Sequence, residues 1–559
     1  MSIDTVTIEE RTKPQWIQKM YPGKVGRDHL GLGSVSSDQI LPTLSPGINV
    51  LTIHPRYHSF YTFLLDEFWR RDLPRSRAAW VRFYRPREFI FSVGCYLCDQ
   101  PEHGDLGTVV GGQKTAPLAA QRLDTYDTTT NYIKSELGGY GLYYGSVIAE
   151  LGLVYPGGPR LPLPIDVPTE QGKKVAAAFR RAVEHTAYYR HYFDDDRTQV
   201  PISVIQEYIR HACLCQLQVA DAPDRPLLLD LFLHQGHDAD ARRSTLRLFL
   251  DVADQTQSYP IDQDTFRQLL YFQDADNGAH YNPHDEVVAA YRRWRLYQAR
   301  EYYAFALNAL WYHVCDWGLA QQGDVRPVQV SHLWQHLEAA LDFDGLAGRL
   351  SLPEPGLEYD ASLRSLLNWL LRSVGADHRS SFDLSCKLNA PIQEHRLYRL
   401  ALENPSSPDV MVAGMVTMLA LIFLRFGKSD LRFQPDWAIS RMGADDRLSV
   451  DRFLRAMHRR LESGDISIVE ITRWLCADYV ILQHQLVATS KLPDNTFRFR
   501  REGNRLRFYS LRNALGFNDS RFYAISTTLH ELGLCGEFSL LDHPLTPDGQ
   551  RELAERDLA

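Results

Sequence analysis

The chain has 559 residues, of which 44% are hydrophobic and 23% charged, with 61 Lys and Arg against 69 Asp and Glu. This ordinary globular usage argues against wholesale disorder, and the length suggests more than one domain. A formal net charge of -8 excludes a uniformly basic nucleic-acid coat but leaves room for a local basic patch.

The opening stretch MSIDTVTIEERTKPQW carries acids early and lacks an apolar core. It does not read as a secretory signal, so a cytoplasmic location is expected. Turn formers (YPGK, LGLGS, LSPGIN) dominate as far as residue 50. From Tyr57 the positions Phe60, Tyr61, Phe63, Leu64, Leu65, Phe68 and Trp69 follow helical spacing, with Pro55 placed where a helix begins. RPREFIFSVGCYLC predicts a second helix, and HGDLGTVVGGQKTA a glycine-rich loop. Residues 124–185 predict a helix, a glycine-rich turn, a helix ending near Glu150–Val154, a Pro/Gly loop and an Ala-rich helix. The middle is dominantly helical, with a long amphipathic pattern starting at Tyr291. The run Val410–Leu424 has fifteen residues, about 22 Å as a helix, too short for a hydrocarbon layer of about 30 Å. It predicts a buried helix, and no membrane partner is expected. After Leu431 come two helices, then NTFRFRREGNRLRFYSLRN, whose alternation around Glu502-Gly503-Asn504 predicts a hairpin or wing. A helix with Ser520 as N-cap and a Pro-primed final helix follow. The expected fold class is mainly α and multidomain: a region 1–185, a helical middle 186–430 and a C-terminal region 431–559.

Two segments match in kind. Glu150-Leu-Gly-Leu-Val154, a loop and Val167-Pro-Thr-Glu-Gln-Gly172 parallel Glu531-Leu-Gly-Leu-Cys535, a loop and Leu545-Thr-Pro-Asp-Gly549. A helix stopped by glycine, a variable wing and a Thr/Pro-started helix resemble a winged helix-turn-helix, at the C-terminal copy and also at the N-terminal one. Ordinary connections with common caps are the plainer alternative, and winged helices also dock proteins.

Six arginines (Arg498, Arg500, Arg501, Arg505, Arg507, Arg512) and one acid, Glu502, lie between Phe497 and Arg512, a local excess of five positive charges. Guanidinium forks suit phosphate, and Phe497, Phe499 and Phe508 alternate with them, so one face packs while the other presents charge. The expected partner is double-stranded DNA. The competing expectation is a hairpin paired with acids of its own chain, such as Asp465, Glu470 and Asp478. Arg521, Tyr523 and Ser526 fall early on the expected recognition helix, placed to reach a groove. His54, Arg56, Tyr57 and His58 form a second polar cluster at a helix start, read as an anion site or as capping and packing.

The eight cysteines are sparse and read as reduced thiols rather than a disulfide framework. Cys95 and Cys98 form C-x-x-C with His103 nearby, and Cys213 and Cys215 form C-x-C after His211. Each pair supplies only half of a zinc site, so no metal and no cofactor is expected. P-loop, G-x-S-x-G and H-E-x-x-H motifs are absent. His280 and His284, with Asp285 or Glu286, invite a metal-nuclease reading, although two loop histidines are more often surface residues.

DHLGLGSV followed by LSPGINVLTIHPRYHSFYTFLLDE resembles the opening of large bacterial proteins encoded in phage-defence gene clusters. YIKSELGGYGLYYGSVIAELGLV, WRLYQAREYYAFALNAL and YVILQHQLVATSKLPDNTFRFRREGNRLRFY are similar in the same way. The resemblance implies a cytoplasmic defence component working beside helicase, nuclease or SMC-type ATPase subunits, and it supplies no catalytic residues. The resulting expectation is a non-catalytic protein that binds DNA or docks partners. A kleisin-like bridging subunit of an SMC-type complex and an effector nuclease are the alternatives.

Overall fold

The computed structural model describes residues 28–100, 109–158, 163–194, 198–219, 221–322, 327–353, 355–373, 388–427, 435–443, 447–492, 494–509 and 515–555. The fold is mainly helical, with seven short strands among these residues: β1 (Thr125–Asp127), β2 (Val154–Tyr155), β3 (Val167–Pro168), β4 (Gln199–Pro201), β5 (Val328–Gln329), β6 (Phe499–Glu502) and β7 (Arg505–Phe508). No helix among the described residues is long and apolar enough to cross a membrane.

The chain does not divide into three consecutive regions. It folds as two units, each assembled from separated segments. The first takes the described residues within Met1–Ile40, Asp264–Asn282 and Tyr291–Asn518. The second takes those within Leu41–Gln263, Pro283–Ala290 and Asp519–Ala559. The segments 124–185 and 519–555 therefore belong to one unit, not to opposite ends of a helical bridge. That removes the arrangement on which the bridging-subunit expectation rested.

In the first unit the helix Val288–Gln322 is interior from Trp294 to Cys315. Trp294, Tyr297, Tyr302, Tyr303, Leu310 and Cys315 are all buried and between them cover every face of the helix. Its sequence reads as amphipathic because Arg295, Arg300 and Glu301 interrupt the aromatics, yet these too are buried. Arg300 donates to the Leu32 carbonyl at 2.6 Å and pairs with Glu301 at 3.3 Å. The apolar run at 410–424 is a buried helix, as expected, formed by Val410–Gly414 and Met415–Phe426. Ser467 and Glu470 form a capping box that starts helix Ile468–Trp474. That helix widens into π-helical turns over Leu475–Leu482 and continues through Gln483–Ser490.

In the second unit, aromatic side chains on helix Arg56–Arg70 pack against helices Arg77–Leu97 and Glu170–Val183. Phe60 stacks on Phe91 with centroids 4.0 Å apart, and Phe63 lies 5.1 Å from Phe179. This unit also holds both matched segments, and they share one geometry. Gly152 and Gly533 take φ +77 and +70, ending helices Gly145–Glu150 and Phe522–Glu531. Leu153 N–H returns to Ile148 O at 3.0 Å, and Leu534 N–H to Leu529 O at 2.9 Å. One antiparallel pair follows at the same offset in each copy, Val154 with Pro168 and Cys535 with Leu545. Thr169 Oγ1 and Thr546 Oγ1 then donate to the preceding glycine's carbonyl, at 2.8 and 2.7 Å, while accepting the N–H of Gly172 and Gly549. A Cβ on Gly172 or Gly549 would run into the carbonyl oxygen of Leu153 or Leu534.

The close approach of helix start to carbonyl is therefore the shared requirement of the two modules. Gly172→Ala and Gly549→Ala should each lower stability by about 1–3 kcal/mol, the range for forcing an atom into packed space. Gly464→Ala supplies the comparison, because no atom stands near its Cβ position although its φ of +143 adds backbone strain. Urea unfolding checks this; equal midpoints for the wild type and the two module variants would refute it.

Candidate nucleic-acid interface

The expected hairpin is present, in the first unit. β6 and β7 pair in antiparallel register, Phe499 with Phe508 and Glu502 with Arg505, across a turn at Gly503 with φ +64. β5 joins β7, giving the order β5-β7-β6. β7 alternates as the sequence predicts, with Leu506 and Phe508 buried and Arg505 exposed, whereas on β6 only Phe499 is buried and Arg500, Arg501 and Glu502 are all exposed.

Side-chain amides and an imidazole fix the hairpin. Gln485 Nε2 donates to Phe499 O at 2.9 Å, and Gln485 Oε1 accepts Arg501 N–H at 3.2 Å. Gln322 holds β7 in the same way, accepting Phe508 N–H at 2.6 Å and donating to Phe508 O at 3.0 Å. His484 Nε2 accepts Arg498 N–H at 3.0 Å, while its Nδ1 bonds the His29 carbonyl at 3.1 Å. Those partners require a neutral ring with the proton on Nδ1. Burial pushes the His484 pKa down to about 3, consistent with that state.

The arginines are not equivalent. Arg507 is held by Glu502 through two contacts of 2.9 and 3.2 Å, and this hydrogen bonding keeps the Glu502 carboxyl below its usual range. Arg498 is half-buried. Arg501 Nε donates to Gly503 O at 3.0 Å, and Arg500 lies 5.4 Å from the Phe497 ring centroid. Arg500, Arg501 and Arg505 are exposed and form no ion pair among the described residues. Of the acids expected to compete, Glu470 is occupied in its capping box, Asp478 is buried and Asp465 is exposed. Arg512 lies outside the described residues.

The other expected binding residues sit elsewhere. Arg521, Tyr523 and Ser526 belong to the second unit, not to the unit carrying the hairpin. Arg521 has φ +63 at the N-terminus of helix Phe522–Glu531, and its guanidinium donates to the carbonyls of Leu41, Ser45 and Ile48. Ser526 is buried and bonds Tyr523 O, and Phe522, Ile525 and Leu529 bury the rest of the helix. Only Tyr523 of the three is exposed. A helix with its polar residues turned into the interior does not read a groove. Ser520 does not cap that helix either; its hydroxyl bonds Gln263 at 3.1 Å.

His54, Arg56, Tyr57 and His58 are all buried, so this cluster is an interior junction and not an anion site. His54 meets Glu531 at 2.6 Å, Arg56 meets Asp224 at 3.2 Å, and Tyr57 OH accepts Val110 N–H at 3.0 Å. His58 bonds Pro55 O, and burial lowers its pKa to about 4. The suggested nuclease histidines do not converge. His280 pairs with Asp274 in the first unit and His284 with Asp251 in the second. Among the described residues the group of side chains fit to hold a metal is Cys98, Cys213 and Cys215. Residue-by-residue reading had left its two halves apart.

No protein-family model, curated protein or solved structure matches this chain.

The neutral buried histidines give a pH dependence. His484 and His313 fall to about 3 and His58 to about 4, all by burial, against 6.5 in an unfolded chain. The unfolded state therefore binds more protons below pH 6.5. Stability from these groups is complete above that pH and is lost as pH falls toward 4 and 3, at up to about 1.4 kcal/mol per pH unit for each. Guanidinium unfolding at pH 7.5, 6 and 5 measures the slope. His484→Gln should reduce it, and an unchanged slope would refute the assignment.

Proposed function

We propose that this chain is a non-catalytic component of a bacterial anti-phage defence system, and that it binds double-stranded DNA through the hairpin of its first unit. The observation that carries the reading is the exposure of Arg500 and Arg505 on one face of the hairpin and of Arg501 on the other, none in an ion pair among the described residues, on strands held by Gln322, His484 and Gln485. Such a surface presents forked donors at fixed positions in a chain that is acidic overall. The contacts suit phosphate rather than base edges, so binding is expected to be weakly sequence-selective and strongly salt-dependent. The defence context rests on the resemblance of the LGLGSV, LSPGINVLTIHPRYHSFY and TFRFRREGNRLRFY blocks. Partner subunits of the helicase, nuclease or SMC-type ATPase class belong to the same proposal.

Fluorescence anisotropy with a labelled duplex tests the DNA role. The triple variant Arg500→Glu, Arg501→Glu, Arg505→Glu should weaken binding at least about tenfold. For each arginine removed, the slope of log affinity against log salt should become shallower by about 1. All three side chains are exposed, so the thermal midpoint should stay close to wild type. Unchanged affinity in the triple variant, or no binding by the wild type at low salt, would assign the hairpin to protein docking instead.

A further inference from the structure

Two helix ends meet in the second unit. Helix Arg77–Leu97 finishes with Cys95 in its last turn and Cys98 as its C-cap, and helix Ile202–Ala212 finishes with Cys213 as its C-cap, two residues before Cys215. Gly94 permits the approach, since a Cβ there would stand 2.9 Å from Ile209 Cδ1 on the other helix. The thiol groups of Cys98, Cys213 and Cys215 lie within 4.8 Å of one another, with Cys98 Sγ and Cys215 Sγ 3.8 Å apart. Cys95 lies in the last turn of the helix that Cys98 caps, outside that group of three. Three of the four are buried and Cys98 is half-buried.

We infer that Cys98, Cys213 and Cys215 bind one zinc ion and that Cys95, one turn before Cys98, swings its side chain in as the fourth thiolate, making a closed structural site. The C-x-x-C and C-x-C pairs supply the four soft ligands that tetrahedral zinc takes, and 3.8 Å is about the sulfur–sulfur edge of a tetrahedron with Zn–S of about 2.3 Å. A disulfide would need about 2.05 Å. The surroundings also separate a metal site from a redox pair. Reactive thiolates sit at helix N-termini, whereas Cys98 and Cys213 cap helix C-termini, whose partial negative charge favours a cation; the Arg56 guanidinium already donates to the Cys213 carbonyl. An outer-shell donor is in place too: Gln216 Nε2 lies 3.5 Å from Cys215 Sγ. With all four positions taken by protein the ion has no open site, so its role is to tie two helix ends 115 positions apart in sequence, Cys98 and Cys213.

The test is metal analysis of the full-length chain, expressed with zinc in the medium and purified without chelator. The expected result is about one zinc per chain, with four thiols released together by a mercurial. Cys98→Ser and Cys215→Ser should lower the zinc to a tenth or less of wild type, while Cys476→Ala keeps it. If the serine variants fail to fold, growth of the wild type in cobalt-supplemented medium decides: the strong visible bands of tetrahedral thiolate-ligated cobalt are expected. Wild-type protein without zinc or those bands overturns the site, as does a disulfide joining any two of the four cysteines. Stoichiometric iron in place of zinc overturns the metal assignment.

Discussion

A guanidinium enters a protein interior only if its N–H groups are accepted there, because an uncompensated buried charge costs several kcal/mol. Both units are organised by that requirement. In the second, Arg521 donates to the carbonyls of Leu41, Ser45 and Ile48, and Arg242 to those of Pro46, Leu231 and Phe232. The turn LSPGIN, closed by Ile48 N–H on Ser45 O at 3.3 Å, is further fixed by two arginines. Arg180 does the same work between helices by pairing with both Asp66 and Glu67. In the first unit Arg425 pairs with Glu394, which also accepts Tyr271 OH at 2.9 Å. Removing one partner from such a pair leaves the other buried and unsatisfied, so these positions constrain sequence more tightly than the apolar core around them.

The same requirement explains which site residues were legible in the sequence. Periodicity marked the helices, the buried run at 410–424 and the hairpin, because burial of a face writes itself into spacing. It does not tell an arginine that faces water from one that clamps a carbonyl. The motif His54-Pro-Arg-Tyr-His58 and Arg521 carry the residue types of a binding site, and both are interior. The discriminating information lies in the partners, Asp224 at 168 positions from Arg56 and Leu41 at 480 from Arg521. The hairpin could be read because its faces are defined by neighbours two residues apart. Even there, the engagement of Arg507 by Glu502 needed the register.

The paired modules were legible for a related reason. Their glycines, threonines and carbonyls are local, so E-L-G-L and T-x-x-G state the geometry almost completely. What the strings left open was the helix preceding each stop. In the C-terminal copy the hydrophobic faces of Phe522–Glu531 are covered by Phe249 and Phe538, among others, with centroids 5.9 Å from Phe522 in both cases. The helix expected to read a groove thus serves as a core element, and fold alone does not assign contact. The division of the chain follows from the same long-range pairing: segments 41–263 and 519–555 share a core, so a boundary drawn along the sequence cuts through it.

The cysteines carry this argument to its end. A metal site of the C-x-x-C…C-x-x-C kind is recognised when both halves are regular, and here the second half is C-x-C at a helix end, too short to stand out from ordinary thiols. Only the close approach at Gly94 and Ile209 brings the halves together. Once they meet, the chemistry narrows quickly. Carboxylates or imidazoles would leave the metal open to choice, whereas four sulfurs select a soft ion and close its coordination sphere. A closed sphere cannot activate water or polarise a substrate. The proposed site would therefore hold the second unit together, and the proposed DNA role would fall to the exposed arginines of the first.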